Sequence, residues 1–141
     1  MEINIINEQK KIKLPVQKLR KLIKQVVSEE SLGFTQINFI YVSDDFIQRI
    51  NKQFLNHDHP TDVLAFDLSD EIETLDKIAE IYISLDRAFE QAKSYKVSFE
   101  NEVARLTTHG LLHLAGYKDD TRSAKINMRR RENYYLRKFG F

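Results

Sequence analysis

Two histidines four residues apart, a glycine three residues beyond the second and an acidic pair just after it constrain this chain more than any other feature. The stretch is Thr108-His109-Gly110-Leu111-Leu112-His113-Leu114-Ala115-Gly116-Tyr117-Lys118-Asp119-Asp120. On an α-helix, positions i and i+4 share one face with Cβ atoms about 5–6 Å apart. Two imidazoles so placed can converge on one ion at about 2.0–2.1 Å. Gly116 can take the left-handed conformation that ends a helix and turns the chain back. Asp119, six residues after His113, then stands where a returning loop supplies a third ligand. Asp120, directly before Thr121, suits the N-cap of a following helix. The reverse division, Asp119 as cap and Asp120 as ligand, uses the same chemistry; the spacing favours Asp119.

A bare histidine pair at this spacing is more often two hydrogen-bonded core residues than a ligand fork. Here the surrounding helix is apolar nearly all round. Phe99, Val103, Leu106, Gly110 and Leu114 lie beside the histidine stripe, and Ala104, Leu111 and Leu112 cover much of the rest, which marks a buried central helix. Burying two imidazoles on one face without a common partner is costly. With the glycine and the carboxylate added, the stretch reads as a site for one metal ion held by His109, His113 and Asp119.

The chain has no cysteine, which excludes thiolate ligands and disulfides. Lys and Arg number 22 against 21 Asp and Glu, so the overall charge argues neither for nor against nucleic acid, and only local patches can. One such patch is the segment from Thr121 to Phe141. It carries Arg122, Lys125, Arg129, Arg130, Arg131, Arg137 and Lys138 against the single acid Glu132. A phosphate-facing surface beside the metal loop is one reading; a solvated helix face is the plainer one. Tyr134 and Tyr135 have base-stacking chemistry, although tyrosines at helical spacing usually pack. The N-terminal residues lack a basic leader followed by an apolar run, and no segment approaches a membrane span. A soluble, cytoplasmic protein is expected.

Hydrophobic period gives the element order. Ile3, Ile5 and Ile6 make a short strand, and Val16 to Val27 a helix after Pro15. Residues 34–42 make a buried strand, and Phe46 to Phe54 a helix capped from Ser43-Asp44-Asp45. Residues 63–68 and 78–84 make two more strands, separated by an acidic loop with Asp70, Glu71, Glu73 and Asp76. Three helices follow, over 88–95, 99–115 and 123–139. The order β-α-β-α-β-β-α-α-α predicts an α+β fold: a small mixed four-stranded sheet packed by about five helices, one of them a zincin-like metal helix, in a single domain over residues 1–141.

The spacing His-x3-His-x2-Gly-x2-Asp matches the ligand fork of the extended zinc-protease motif. Those proteases place a glutamate directly after the first histidine as general base, and this chain has Gly110 there. Glu102 shares the histidine stripe but lies about 10 Å up the helix by its rise per residue, too far for an in-line base. Peptide hydrolysis by that mechanism is therefore disfavoured. What remains is a three-ligand site with an open position, suited to activating water or polarising a phosphoryl oxygen.

The motif His109-Gly110-Leu111-Leu112-His113-Leu114-Ala115-Gly116-Tyr117 resembles that of the YbeY-type endoribonucleases, bacterial rRNA maturation factors. Pro60-Thr61-Asp62-Val63-Leu64-Ala65-Phe66 and, more weakly, Glu80-Ile81-Tyr82-Ile83-Ser84 are similar to two further motifs of that family. The resemblance implies a zinc-dependent, single-strand-specific endoribonuclease with one Zn²⁺. Its work would be 3′-end maturation of small-subunit rRNA and ribosome quality control. Implied partners are single-stranded RNA, the ribosomal small subunit, and a ribosomal protein or assembly GTPase. The alternative is a metal-stapled ribosome-assembly or RNA-binding factor without nuclease activity. Two departures stand out. The family places a third histidine ligand where this chain has Asp119, so the ligand role is carried to Asp119, with Lys118 beside it. The family's arginine before Pro-Thr-Asp falls on Leu55, leaving that role unassigned; His57 and His59 lie close by as phosphate or proton-transfer groups. The general base is likewise unassigned.

Overall fold

The run from Gln36 to Val42 has apolar side chains on both of its alternating faces, the pattern of a strand covered on both sides. In the computed structural model, which describes residues 1–56, 61–69 and 76–141, this run is the second strand of a four-stranded sheet. The elements are β1 (Glu2–Asn7), α1 (Val16–Glu29), β2 (Gln36–Val42), α2 (Asp44–Leu55), β3 (Val63–Asp67), β4 (Ile78–Ser84), α3 (Leu85–Tyr95), α4 (Phe99–Leu114) and α5 (Arg122–Lys138). The order across the sheet is β1-β2-β4-β3. β1, β2 and β4 are parallel, and β3 runs antiparallel along the outer edge of β4, with Ala65 opposite Ile81. The α+β fold, the mixed sheet and the element order are those the hydrophobic period predicts.

Side-chain alternation sorts the two faces. Ile37, Phe39 and Tyr41 of β2, with Ile81 and Ile83 of β4, enter the main core beneath α1, α4 and α5. Ile40 and Val42 turn to the opposite face, where α2 covers them with Ile47. Leu19, Leu22, Ile23 and Val26 supply the buried stripe of α1; full burial of each such side chain contributes roughly 1.5–3 kcal/mol. Helix α4 packs against α1, α3, α5, β3 and β4 and is buried on nearly every side. Its threonines stay satisfied inside. Thr107 Oγ1 donates to Val103 O at 2.8 Å and lies 2.8 Å from Tyr41 Oη, while Thr108 Oγ1 donates to Ala104 O at 2.8 Å.

Helix starts are set by hydroxyl caps. Ser43, Ser84 and Ser98 each accept from the backbone N–H three residues on. The cap at Ser84 starts α3 at Leu85, earlier than the spacing of its apolar residues indicates. Thr121, not Asp120, caps α5: its side chain accepts from Ala124 N at 3.0 Å. The expectation that an aspartate fills that role is corrected; the hydroxyl one residue later has the extended backbone a cap requires. β2 starts at Gln36 instead of residue 34, and β3 ends at Asp67 instead of residue 68. The acidic-loop residues Asp70, Glu71 and Glu73, and His57 and His59, lie outside the described residues.

The basic count on α5 also changes meaning. Arg131 Nε donates to Glu30 at 2.8 Å, and Lys138 Nζ lies 3.8 Å from Glu29. Tyr134 donates to Glu29 and Tyr135 to Glu30. Tyr135 is fully buried. Part of the charge, and both tyrosines, therefore fasten α5 to the end of α1.

Candidate metal centre

Helix α4 ends just past His113, and the way it ends brings the third donor back. Gly116 has φ +96°, the left-handed region where a side chain is penalised. Its N–H donates to His113 O at 3.0 Å and that of Tyr117 to Leu112 O at 3.0 Å, a Schellman pair that closes the helix. The Tyr117 side chain hydrogen-bonds Glu30, the residue that caps the end of α1, and this contact, which with burial raises the hydroxyl's pKa, moors the loop before it turns to Asp119.

The structure brings together the three residues that spacing singled out. His109 Nε2 and His113 Nε2 are 3.0 Å apart, and each lies 3.4 Å from Asp119 Oδ2. Two donors each about 2.0–2.1 Å from an ion, at a tetrahedral angle, sit about 3.3–3.4 Å apart. The three atoms thus form a triangle of the size of one face of a tetrahedral site, and they are the metal-type cluster found among the described residues. Asp119 is the most exposed of the three, with 44% of its side chain accessible, which leaves one side of the triangle open.

Behind His109 stands a group that sequence reasoning missed. Glu132 of α5, only 4% exposed, places Oε2 2.8 Å from His109 Nδ1. Its Oε1 accepts from Arg105 Nη1 at 3.1 Å, and Arg105 Nη2 donates to Asn133 Oδ1 at 2.8 Å. A carboxylate on Nδ1 fixes the ring's orientation and leaves the Nε2 lone pair facing outward, the arrangement usual behind metal-binding histidines. The available signal was that Glu132 is the lone acid of a basic helix. Asp62, from the Pro-Thr-Asp motif, is the second missed group; it lines the same cleft as His109 and Asp119 and accepts from Gln91 Nε2 at 3.3 Å. Leu55 lies elsewhere, in an apolar groove with Phe54 and Phe66.

Burial pushes the pKa of His109 down, but the Glu132 hydrogen bond and the charges of Glu132, Asp62 and Asp119 outweigh it and hold the ring above its ordinary 6.5. A site that favours a proton on His109 favours a cation in its place. The sign follows from linkage: stability from a raised histidine pKa is complete below the unfolded value and is lost as pH rises through the folded one. Metal-free protein is accordingly expected to lose thermal stability as pH rises above about 6.5, and Glu132→Gln to flatten that dependence. The same variant should bind zinc roughly 10- to 100-fold more weakly. Melting curves across pH and a competitive chelator titration read the two effects.

Gly110 occupies a different face. A Cβ there would lie 2.7 Å from Ile81 Cγ2 and 3.2 Å from Val63 Cγ1. The position after the first histidine points into the sheet, away from the donor triangle, so a catalytic glutamate has no room in this helix setting.

Fold and donor set together define an α+β protein whose central helix and following loop present a His–His–carboxylate cradle over an open cleft. The sequence profile of the family described as Endoribonuclease YbeY matches residues 4–140, and the chain belongs to that family. It is 40% identical over 134 residues to the Endoribonuclease YbeY of Chloroherpeton thalassium, covering 94% of this chain and 92% of the relative. With that of Chlorobaculum parvum it shares 42% identity over 120 residues, 84% and 82% of the two chains. The solution structure of TM1509 from Thermotoga maritima superposes with a TM-score of 0.62 at 28% identity, covering 97% of this chain and 91% of that one.

Proposed function

We propose that this chain is, over residues 1–141, a single zinc-dependent domain that hydrolyses phosphodiester bonds of single-stranded RNA. The observation that carries the reading is the triangle of His109, His113 and Asp119 donor atoms opening onto a cleft, in a chain of a family named for endoribonuclease activity. Its proposed setting is the cytoplasm, in 3′-end maturation of small-subunit rRNA and in ribosome quality control, with a ribosomal protein or assembly GTPase as partner. No helix among the described residues is long and apolar enough to cross a membrane.

His109, His113 and Asp119 would hold one divalent ion. Such an ion supplies Lewis acidity, acidifying a hydroxyl or water and offsetting phosphate charge. Glu132 and Arg105 hold His109 in register. Lys125 and Arg129, which line the cleft from α5, attract the phosphate backbone. The third ligand being a carboxylate leaves the ion one charge less positive than three imidazoles would, which is expected to shift the pH at which cleavage reaches half its maximum. Zinc analysis of the purified protein and cleavage of a single-stranded RNA before and after chelation test the activity. Accumulation of unprocessed rRNA on depletion tests the process. Protein that carries no metal and leaves RNA intact overturns the reading.

A second reading has one observation behind it: Asp119 lies on the loop joining α4 to α5, so an ion there would also staple that loop to α4. If the ion were only a staple, its removal would unfold the protein, and a folded His113→Ala variant would retain RNA processing.

A further inference from the structure

From the donor triangle a cleft of about 420 Å³ runs along α4, between α3 on one side and α5 on the other. Its floor extends from His109 to Glu102, seven residues or about 10 Å of helix, longer than one phosphate group needs. Tyr95, at the C-terminal end of α3 and 53% exposed, stands at one wall. Arg129 reaches over from α5 to place its guanidinium 5.7 Å from the centre of the Tyr95 ring. The floor residue Glu102 is only 2% exposed, and its Oε2 has no hydrogen-bond partner. Leaving such a group unpaired costs about 1–3 kcal/mol, a cost a bound polar group could relieve.

Resting on the endoribonuclease reading, we propose that this cleft is a single-nucleotide subsite beside the donor triangle. The base of an unpaired nucleotide next to the cleaved bond lies against Tyr95 and turns its hydrogen-bonding edge to Glu102. Lys125 and Arg129, one helical turn apart on α5, take the adjoining phosphate. An aromatic face serves any base, and Glu102 adds a polar contact at the base's edge. Burial raises its pKa, against the lowering charges of Arg105 and Arg129, and a polar partner at Oε2 relieves that burial. A carboxylic acid offers one donor beside one acceptor. That pattern pairs with any base edge that sets a donor beside an acceptor, the amino group and ring nitrogen of adenine or cytosine as well as the ring N–H and carbonyl of uracil. A base already paired in a duplex has this edge occupied, so the subsite also selects single strands.

Fluorescence anisotropy with short labelled oligoadenylate, oligocytidylate and oligouridylate, run on the purified protein with cleavage followed in parallel, tests the proposal. Wild type should hold all three. Tyr95→Ala should weaken adenylate binding about tenfold, and Tyr95→Phe should preserve it. Glu102→Leu should weaken binding of all three, and Glu102→Gln, which keeps a donor and an acceptor, should preserve it. A Tyr95→Ala or a Glu102→Leu protein that binds all three like wild type overturns the subsite alone. Wild type that neither binds nor cleaves any of them overturns the endoribonuclease reading, and the subsite with it.

Discussion

His113→Ala is expected to abolish both stable zinc binding and RNA cleavage while leaving the fold in place. The side chain is one of three donors, and its Nε2 is 3.0 Å from that of His109 and 3.4 Å from Asp119 Oδ2. Removing a group behind a ligand typically lowers metal affinity 10- to 100-fold; removing the ligand itself should exceed that, at about 100-fold or more. The side chain is 34% exposed, so truncation opens no buried cavity. Metal-free wild type and variant should therefore melt within a few degrees of each other. Added zinc should raise the melting temperature of wild type only, since a ligand stabilises the state that binds it. Calorimetric zinc titration, melting curves and cleavage assays on one preparation separate the outcomes. A variant that retains stoichiometric zinc would remove His113 from the centre. A variant that folds, loses zinc and still cleaves RNA would make the ion a staple.

The other large effect concerns Gly110. Installing the glutamate that zinc proteases carry at this position should not create a peptidase; it should prevent folding. Even a single Cβ would approach Ile81 Cγ2 at 2.7 Å, and that atom is a branch methyl of a fully buried strand residue, with little freedom to withdraw. Gly110→Ala gains about 1 kcal/mol of helix propensity and loses about 1–3 kcal/mol to overpacking, so a modest net destabilisation is expected. Gly110→Glu adds the burial of a carboxyl with no partner, for a total loss of about 4 kcal/mol or more, a large share of a domain's stability. Far-ultraviolet circular dichroism and soluble yield measure it. A folded Gly110→Glu protein with wild-type melting behaviour would mean that α4 can lift from β4, contrary to the packing described.

The contrast between these positions explains what could be read in the chain and what could not. Periodicity separates faces: it placed His109 and His113 together, gave the strands and helices in order, and showed α4 to be surrounded. The turn at Gly116 was legible because a positive φ has a residue signature. Distance along the sequence hides what another helix brings. Glu132 lies 23 residues from His109, and only the packing of α5 on α4 reveals its place behind the ring. Asp62 comes from still further away. The cap at Thr121 was misread because aspartate and threonine have nearly equal capping chemistry, and the choice rests on one residue's backbone angle. The α5 charges were legible as a count, but their assignment to Glu29 and Glu30 depended on how α1 and α5 meet.

The hydrogen bond from His109 to Glu132 makes the centre a gauge of the last helix's seating. The ring that would face the ion is oriented by Glu132 of α5, and the residue before it, Arg131, fastens α5 to Glu30 at the end of α1. Partial undocking of the C-terminal helix would free the imidazole to rotate before the sheet loses a strand. Susceptibility to chelators should then rise ahead of global unfolding, and the sensitivity of the ion to mild denaturant would report how firmly the end of the chain is latched.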